Sequence, residues 1–123
     1  MMRPAILGAA ALVLTAWSEP PRSMPAEPIP CAVARVLDGD TIACADGTRA
    51  RLRGVDTPER GEPRHAEATA ALAAMLARCG AWVVLIPHHM TRGRIAATVM
   101  CGGVDVGAAM DRAGWSKPIG ARR

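Results

Sequence analysis

The sequence predicts a small α+β domain, a closed β-barrel of five strands with helices in the order β-β-β-α-β-β-α. Three observations support this prediction. The chain has 123 residues, which is enough for one domain and not for two. Short apolar runs alternate with Asp-Gly and Gly-Gly turns, and an alanine-rich segment of helical period separates the third run from the fourth. Five short strands favour a barrel because closure removes exposed strand edges.

The first three strands are expected to form a meander over Cys31–Leu37, Thr41–Ala45 and Thr48–Arg53. An Asp-Gly pair lies between each two of them, and this is a strong signal for a tight turn between strands. In the third segment arginines recur at every second position, a period typical of a strand. Pro58 pushes the residue before it into an extended conformation, so the next segment, Val55–Gly61, is not helical.

The second half of the chain is expected to supply a helix, a hairpin and a second helix. Pro63–Arg78 carries an apolar stripe at helical spacing, and Gly80 follows where a helix would stop. The residues of the stripe are Ala68, Leu72, Met75 and Leu76. The apolar run Ala81–Pro87 predicts a buried strand and Arg94–Cys101 its return strand, with a loop at His88–Gly93. The helix after the Gly-Gly turn is predicted over Val104–Ala113.

The amino terminus has the pattern of a secretory signal. Arg3 precedes an apolar run of about 12 residues, Ala5–Ala16, which is too short to cross a bilayer. Small residues at the end of the run place a cleavage site after Ser18, so residues 1–18 are predicted to be a signal peptide. The five prolines of Glu19–Pro30 predict an extended linker, which argues against the alternative of a buried amino-terminal helix. We therefore expect an exported protein, secreted or periplasmic, with no stable membrane anchor after signal removal.

Four cysteines in so short an exported chain favour disulfide bonds. Cys79 and Cys101 are equally distant from the centre of the predicted second hairpin, and Cys31 and Cys44 lie on either side of the first turn. Of the three possible pairings we favour these two local ones. The alternative is a zinc site, but the chain has no C-x-x-C pair and its histidines do not have ligand spacing.

Composition limits how the protein can recognise a partner. The formal net charge is +4, which is compatible with an anionic partner but too small to demonstrate one. The chain contains no Tyr and no Phe, so capture of a nucleic-acid strand by stacking on such rings is excluded. His65, His88 and His89 are expected to be exposed residues of a helix and a loop instead of metal ligands.

Charged side chains concentrate around two predicted strand ends. The acids are Asp38, Asp40, Asp56 and Glu59, and the bases are Arg51, Arg53 and Arg60. Asp40 and Asp56 with the carbonyl of Thr57 would form an incomplete shell for Ca²⁺, which takes six to eight oxygens, and would leave room for water and phosphate. An EF-hand is excluded because Arg49 stands where that loop needs a bidentate Glu. The alternative that the Asp-Gly pairs are only turn residues stays open on composition alone.

Order and spacing add a resemblance to a known family. Val36–Thr41 reads VLDGDT, Arg51–Glu59 reads RLRGVDTPE, and a Gly-Arg pair ends at Arg94. This series resembles the staphylococcal-nuclease (thermonuclease) family over Cys31–Lys117, with a basic tail at residues 118–123. The resemblance implies a five-stranded OB-fold and a Ca²⁺-dependent nuclease that hydrolyses DNA and RNA with little sequence specificity. It also implies cleavage of the bond to the 5′ oxygen, which leaves 3′-phosphorylated products.

The resemblance assigns roles by position. Asp40 and Asp56 match the family's Ca²⁺-binding carboxylates, and Thr57 matches its carbonyl ligand. Asp38 matches an acid outside the ligand shell. The matches to the catalytic residues are Glu59, which orients or deprotonates the attacking water, and two arginines that grip the scissile phosphate, Arg51 and Arg94.

The chain also departs from the family pattern. Met90-Thr91-Arg92 lacks the acid and the tyrosine usual before the Gly-Arg pair, and the tyrosines of the family's nucleotide pocket are absent. The third helix of the long members is expected to be absent, because little sequence follows Gly114. We therefore expect a monomer that binds DNA and RNA mainly through phosphate contacts. Two other hypotheses are a weakened or inactive OB-fold module that binds nucleic acid or protein, and a disulfide-stapled structural domain, which leaves the charged cluster unexplained.

Overall fold

Residues 27–118 are described by the structure, a computed structural model. The predicted signal peptide, most of the predicted linker and the basic tail after Pro118 lie outside these residues. The elements, in chain order, are β1 (Ile29–Asp38), β2 (Thr41–Cys44), β3 (Arg49–Leu52), α1 (His65–Ala77), β4 (Trp82–Thr91), β5 (Arg94–Cys101), β6 (Val104–Asp105) and α2 (Val106–Arg112).

The first five strands close into a mixed β-barrel. Neighbouring strands follow the order β3-β2-β1-β4-β5, and an additional pairing of β3 with β5 joins the two ends. That closing pair is parallel, with Arg51 opposite Ala96, whereas the other pairs are antiparallel. The predicted class, a closed five-stranded barrel with two helices and an OB-like α+β architecture, is confirmed. Closure satisfies the backbone groups of both outer strands without a partner chain.

The barrel interior is filled by small and medium-sized apolar side chains. The largest fully buried ones include Ile42, Leu52, Leu72, Leu85 and Met110. The stripe predicted for α1 faces this core, since Ala68, Leu72 and Leu76 are buried and Met75 packs at its margin. With no Tyr or Phe in the chain, the core depends on aliphatic packing and on cross-links.

Two disulfide bonds supply these cross-links, in the favoured pairing. Cys31 is bonded to Cys44 across β1 and β2, and both are buried in the core. Cys79, just after α1, is bonded to Cys101 at the end of β5. The bonds span 13 and 22 residues of sequence, so the chain-entropy model assigns each roughly 3 kcal/mol of stability. The zinc alternative for the cysteines is excluded.

The predicted loop at His88–Gly93 is wrong. His88, His89 and Met90 belong to β4, which continues to Thr91 and pairs with β5 through a bulge after Pro87. The chain reverses instead over Arg92 and Gly93, whose φ angles are +51° and +79°. A two-residue turn whose twist matches that of the flanking strands requires positive φ at both central residues. Because the turn takes only these two residues, both strands extend further than composition indicated.

Three other element boundaries differ from the predictions by two residues, and the rest differ by one residue or not at all. β1 begins at Ile29, inside the predicted linker, because Ile29 and Pro30 pair with β4. The first helix begins at His65 and not at Pro63, after Arg64 in a left-handed conformation. The second helix begins at Val106, because the two residues before it form β6 and the Asp105 carboxylate caps the helix by accepting the N–H of Ala108 at 3.1 Å. Within residues 27–118, no helix is long and apolar enough to cross a membrane.

Candidate functional site

The turn between β1 and β2 fixes the first pair of carboxylates. Asp38 ends β1, and its Oδ1 accepts the backbone N–H of Asp40 at 3.2 Å. Asp40 is only 6 % exposed. Its Oδ1 accepts the hydroxyl of Thr41 at 3.1 Å, and its Oδ2 accepts the backbone N–H of Thr57 at 3.0 Å. The Asp40 carboxylate is therefore held in one orientation by two neighbouring segments.

Burial sets the electrostatics of this carboxylate. Loss of hydration raises the pKa of Asp40 above its ordinary value of 3.8, and hydrogen bonding with the Asp38 carboxyl raises it further. The Arg51 guanidinium and the Thr57 N–H oppose this rise without cancelling it. The negative charge of Asp40 is thus incompletely compensated by the protein, and a cation nearby would favour the ionised form.

Arg51, in the middle of β3, joins the two halves of the candidate site. Its Nη1 donates to the carbonyl oxygens of Leu52 and Val55 at 2.8 and 3.1 Å. Its Nη2 lies 3.3 Å from Oδ2 of Asp40 and 3.3 Å from Oδ1 of Asp56. Because both carboxylates contact one nitrogen, Asp40 and Asp56 face the same point of the site from two separate segments.

One cavity brings the predicted residues together. It has a volume of about 250 Å³, and we call it the carboxylate cavity. Its wall is formed by Asp38, Asp40, Arg51, Asp56, Glu59, Arg60, Arg92 and Arg94. Every residue to which the resemblance assigns a role lies in this wall, apart from Thr57, which is buried beside it. Arg53, a base of the predicted charged cluster, lies outside the wall.

Glu59 and Thr57 have contrasting surroundings. The Glu59 side chain is 74 % exposed, with Oε2 at 3.9 Å from Nζ of Lys117, so it can reach water at the cavity mouth. Thr57 is buried, and its Oγ1 has no hydrogen-bond partner among the described residues. A buried hydroxyl without a partner is costly, and a ligand or water that accepted its hydrogen would remove that cost.

Several contacts at this site were not foreseen from the sequence. The backbone N–H of Asp56 donates to Oγ of Ser116 at 3.0 Å, and the backbone N–H of Lys117 donates to the carbonyl of Asp56 at 2.8 Å. Both residues belong to the segment after α2, which has no sequence periodicity. Arg92 joins the cavity wall from the turn between β4 and β5, and the density of arginine in the sequence is the only signal that could have indicated it.

Arg53, predicted to end the third strand, lies in the turn after β3 and is exposed. Its Nη1 lies 2.6 Å from Nδ1 of His88, whose Nε2 in turn lies 2.9 Å from Oγ1 of Thr98. His88 and His89 are exposed, as expected, although they lie on a strand. His65 was also expected to be exposed, but it is half-buried and its Nε2 is buried.

Within residues 27–118, no cluster of three or more His, Cys, Asp or Glu side chains is close enough to form a full metal cage. The donor set instead consists of two carboxylates that share one cationic partner. No protein-family model matches the chain, and no curated protein is significantly similar to it.

Proposed function

We propose that the protein is an exported, Ca²⁺-dependent nuclease of the staphylococcal-nuclease family with an OB-fold, which hydrolyses DNA and RNA with little sequence specificity. The observation that carries the proposal is the shared position of Asp40, Asp56, Arg51, Glu59 and Arg94 in one cavity. Four of these residues come from the stretch Asp40–Glu59, and Arg94 joins them from the start of β5, which the fold brings beside β3.

The residues present fit a calcium ion that has few protein ligands. Asp40 and Asp56 would hold it together with the carbonyl of Thr57, and Asp38 would stay outside the ligand shell to orient Asp40 through its backbone N–H. Oxygen ligands of this kind suit Ca²⁺, and the incompletely compensated charge of Asp40 favours a cation at this position. When bound, the ion supplies positive charge that stabilises the anionic transition state of phosphodiester hydrolysis.

The arginines would bind the scissile phosphate. Guanidinium groups can donate two parallel hydrogen bonds to phosphate oxygens, which a lysine cannot reproduce. Arg94 is free to do so, because its Nε is buried without a partner among the described residues. Arg51 is held by two backbone carbonyls, so its orientation toward the cavity is fixed before a substrate arrives.

Glu59 would act as the general base. Its exposed carboxylate accepts a proton from the attacking water as oxygen bonds to phosphorus, and the bond from phosphorus to the 5′ oxygen breaks. The departing 5′ oxygen takes up a proton from solvent, and the phosphate stays on the 3′ side. A positioned base of this kind typically contributes about 10²–10⁴-fold to the rate.

A digestion assay tests the proposal. The oxidised protein is incubated with DNA or RNA in CaCl₂ or in EGTA, beside Glu59→Gln and the control Glu67→Gln, which changes an exposed acid of α1. We expect cleavage that requires Ca²⁺, a loss of about 10²-fold or more in Glu59→Gln, and no loss in the control. Absence of Ca²⁺-dependent cleavage with intact nucleic-acid binding would instead favour a non-catalytic OB-fold binding module.

A further inference from the structure

A second cavity adjoins the carboxylate cavity and has a different chemical character. Its volume is about 360 Å³, and we call it the basic cavity. Its wall is formed by Arg35, Leu37, Asp38, Thr41, Arg49, Arg60, His65 and Arg94. Asp38, Arg60 and Arg94 belong to the walls of both cavities, so the two cavities are direct neighbours.

Positive charge dominates the basic cavity. Four guanidinium groups line it, from Arg35, Arg49, Arg60 and Arg94, against the single carboxylate of Asp38. Over residues 27–118, none of the four arginines is ion-paired or hydrogen-bonded through its side chain to another residue. Like charges in one wall repel each other, and an anion bound between them would relieve this repulsion.

Two buried nitrogen atoms in the same wall also lack partners. Nε of Arg94 and Nε2 of His65 are both buried, and neither makes a hydrogen bond within the described part of the chain. Nε of arginine can only donate, and Nε2 of histidine donates when it carries the proton. Buried donors without acceptors are rare, so their presence beside four guanidinium groups indicates an acceptor-rich, anionic ligand.

We propose that the basic cavity binds the backbone phosphate next to the one that is cleaved, so that the substrate is a nucleic-acid strand held at two successive phosphates. This inference rests on the proposed function. Arg94 forms part of both walls, so its guanidinium group can donate hydrogen bonds to two adjacent phosphates. A second phosphate site also explains how a chain without Tyr or Phe can hold a strand that it cannot capture by stacking on such rings.

The length of the substrate provides the first test. The ratio of kcat/KM for a short oligothymidylate to kcat/KM for a dinucleoside monophosphate, which has one phosphodiester, is measured for the full oxidised chain. Arg49→Ala should lower this ratio by about tenfold, because one charge-assisted contact to the second phosphate is lost. Arg112→Ala removes an exposed arginine of α2 outside both cavities and should leave the ratio unchanged. An unchanged ratio in Arg49→Ala would overturn the inference.

Binding without catalysis separates this inference from the proposed function. Anisotropy of a fluorescein-labelled oligothymidylate is measured in EDTA at several salt concentrations. For Arg49→Ala the slope of log Kd against log salt should decrease by about 0.7, the value for one single-strand phosphate contact. Arg35→Ala, which changes a lining residue of β1 instead of β3, should give the same decrease and guards against a folding defect particular to Arg49. If this decrease occurs but no substrate is cleaved in CaCl₂, the proposed function fails and the phosphate site stands.

Inorganic phosphate is the remaining probe. If it binds in a manner that needs Arg49, while the oligothymidylate slope does not change in Arg49→Ala, the basic cavity is a site for free phosphate. That result would also overturn the inference.

Discussion

Nζ of Lys117 lies 3.4 Å from Oε1 of Glu62, and this contact ties the segment after α2 to the turn that carries Glu59. The same Glu62 oxygen accepts the backbone N–H of Glu59 at 2.7 Å. The backbone N–H of Lys117 also binds the carbonyl of Asp56. One contact network therefore holds both ends of the Asp56–Glu59 turn, which bears a proposed calcium ligand and the proposed base.

Replacing Glu62 should loosen this turn without unfolding the barrel. Glu62→Ala removes the acceptor for the Glu59 N–H and the partner of Lys117, so we expect kcat/KM for Ca²⁺-dependent cleavage to decrease by roughly tenfold. Glu67→Ala, which removes an exposed acid in the first turn of α1, is the matched control. Equal activity in the two variants would show that the contact with Lys117 does not position Glu59.

The same variant has a predictable pH dependence. The Glu59 N–H, and after it Lys117, lower the pKa of Glu62 below 4.5. A carboxyl with a lowered pKa in the folded state stabilises the protein above its unfolded pKa, and this contribution is lost as pH falls through the folded value. The difference in Tm between the wild type and Glu62→Ala should therefore be present at neutral pH and vanish in acid. A difference that persists in acid would contradict the assignment.

The buried carboxylate of Asp40 is expected to lower the stability of the protein at neutral pH. Burial raises its pKa, so between the unfolded and folded values the folded state binds more protons and stability falls as pH rises. At neutral pH the ionised, buried carboxylate therefore lowers the free energy of unfolding. Asp40→Asn removes the buried charge, and we expect this variant to have a higher Tm than the wild type at neutral pH in EDTA.

The control for this change is Asp111→Asn, which alters an exposed acid of α2. Thermal unfolding measured across pH should show the advantage of Asp40→Asn at neutral pH and its disappearance in acid, where Asp40 is protonated. Titration calorimetry should show that Ca²⁺ binding is lost. An Asp40→Asn variant less stable than the wild type at neutral pH would contradict this account of the carboxylate.

Replacement by lysine should affect stability differently at the two candidate phosphate-binding arginines. Arg51 donates to two backbone carbonyls and contacts two carboxylates, and a single ammonium group cannot replace all four contacts. Arg51→Lys should therefore lower kcat/KM by at least about 10²-fold and lower stability by about 1–2 kcal/mol. Arg94 has no side-chain partner in residues 27–118, so Arg94→Lys should lower activity with little change in Tm. Equal losses of stability would show that the Arg51 contacts do not support the fold.

The contacts of Arg51 also show how far the sequence could be interpreted. The Asp-Gly turns and the alternating arginines of β3 predicted the strands, and with them the proximity of Asp40 and Arg51. The bond from Arg51 to the carbonyl of Val55 depends on a backbone reversal at Gly54, whose φ is +93°, and no periodicity specifies which carbonyl that reversal presents. The predicted residues therefore lie together around one cavity, but their mutual contacts could not be derived.

Most of the remaining differences between the predictions from sequence and the structure lie in irregular and polar segments. Ser116 and Lys117 contact Asp56 through single hydrogen bonds from a segment without repeating pattern, so nothing in their sequence indicated the role. His88 and His89 were assigned to a loop because they are polar. A tight turn at Arg92 and Gly93 extends the strands past them, beyond the part of β4 that pairs with β1, and their side chains are exposed.

The contact of Gly39 with α1 gives the last prediction. A Cβ atom at Gly39 would lie 2.7 Å from Oγ1 of Thr57 and 2.8 Å from Cβ of Ala68, both of which are buried. Gly39→Ala should therefore displace Thr57, whose N–H orients Asp40, and should cost about 1–3 kcal/mol through overpacking. Thermal unfolding and Ca²⁺ titration should show lower stability together with weaker calcium binding. Gly103→Ala is the matched control, because a Cβ there would have no neighbour within 4 Å. If Gly39→Ala binds Ca²⁺ as tightly as Gly103→Ala does, the close packing of this turn against Thr57 is not what positions the Asp40 carboxylate.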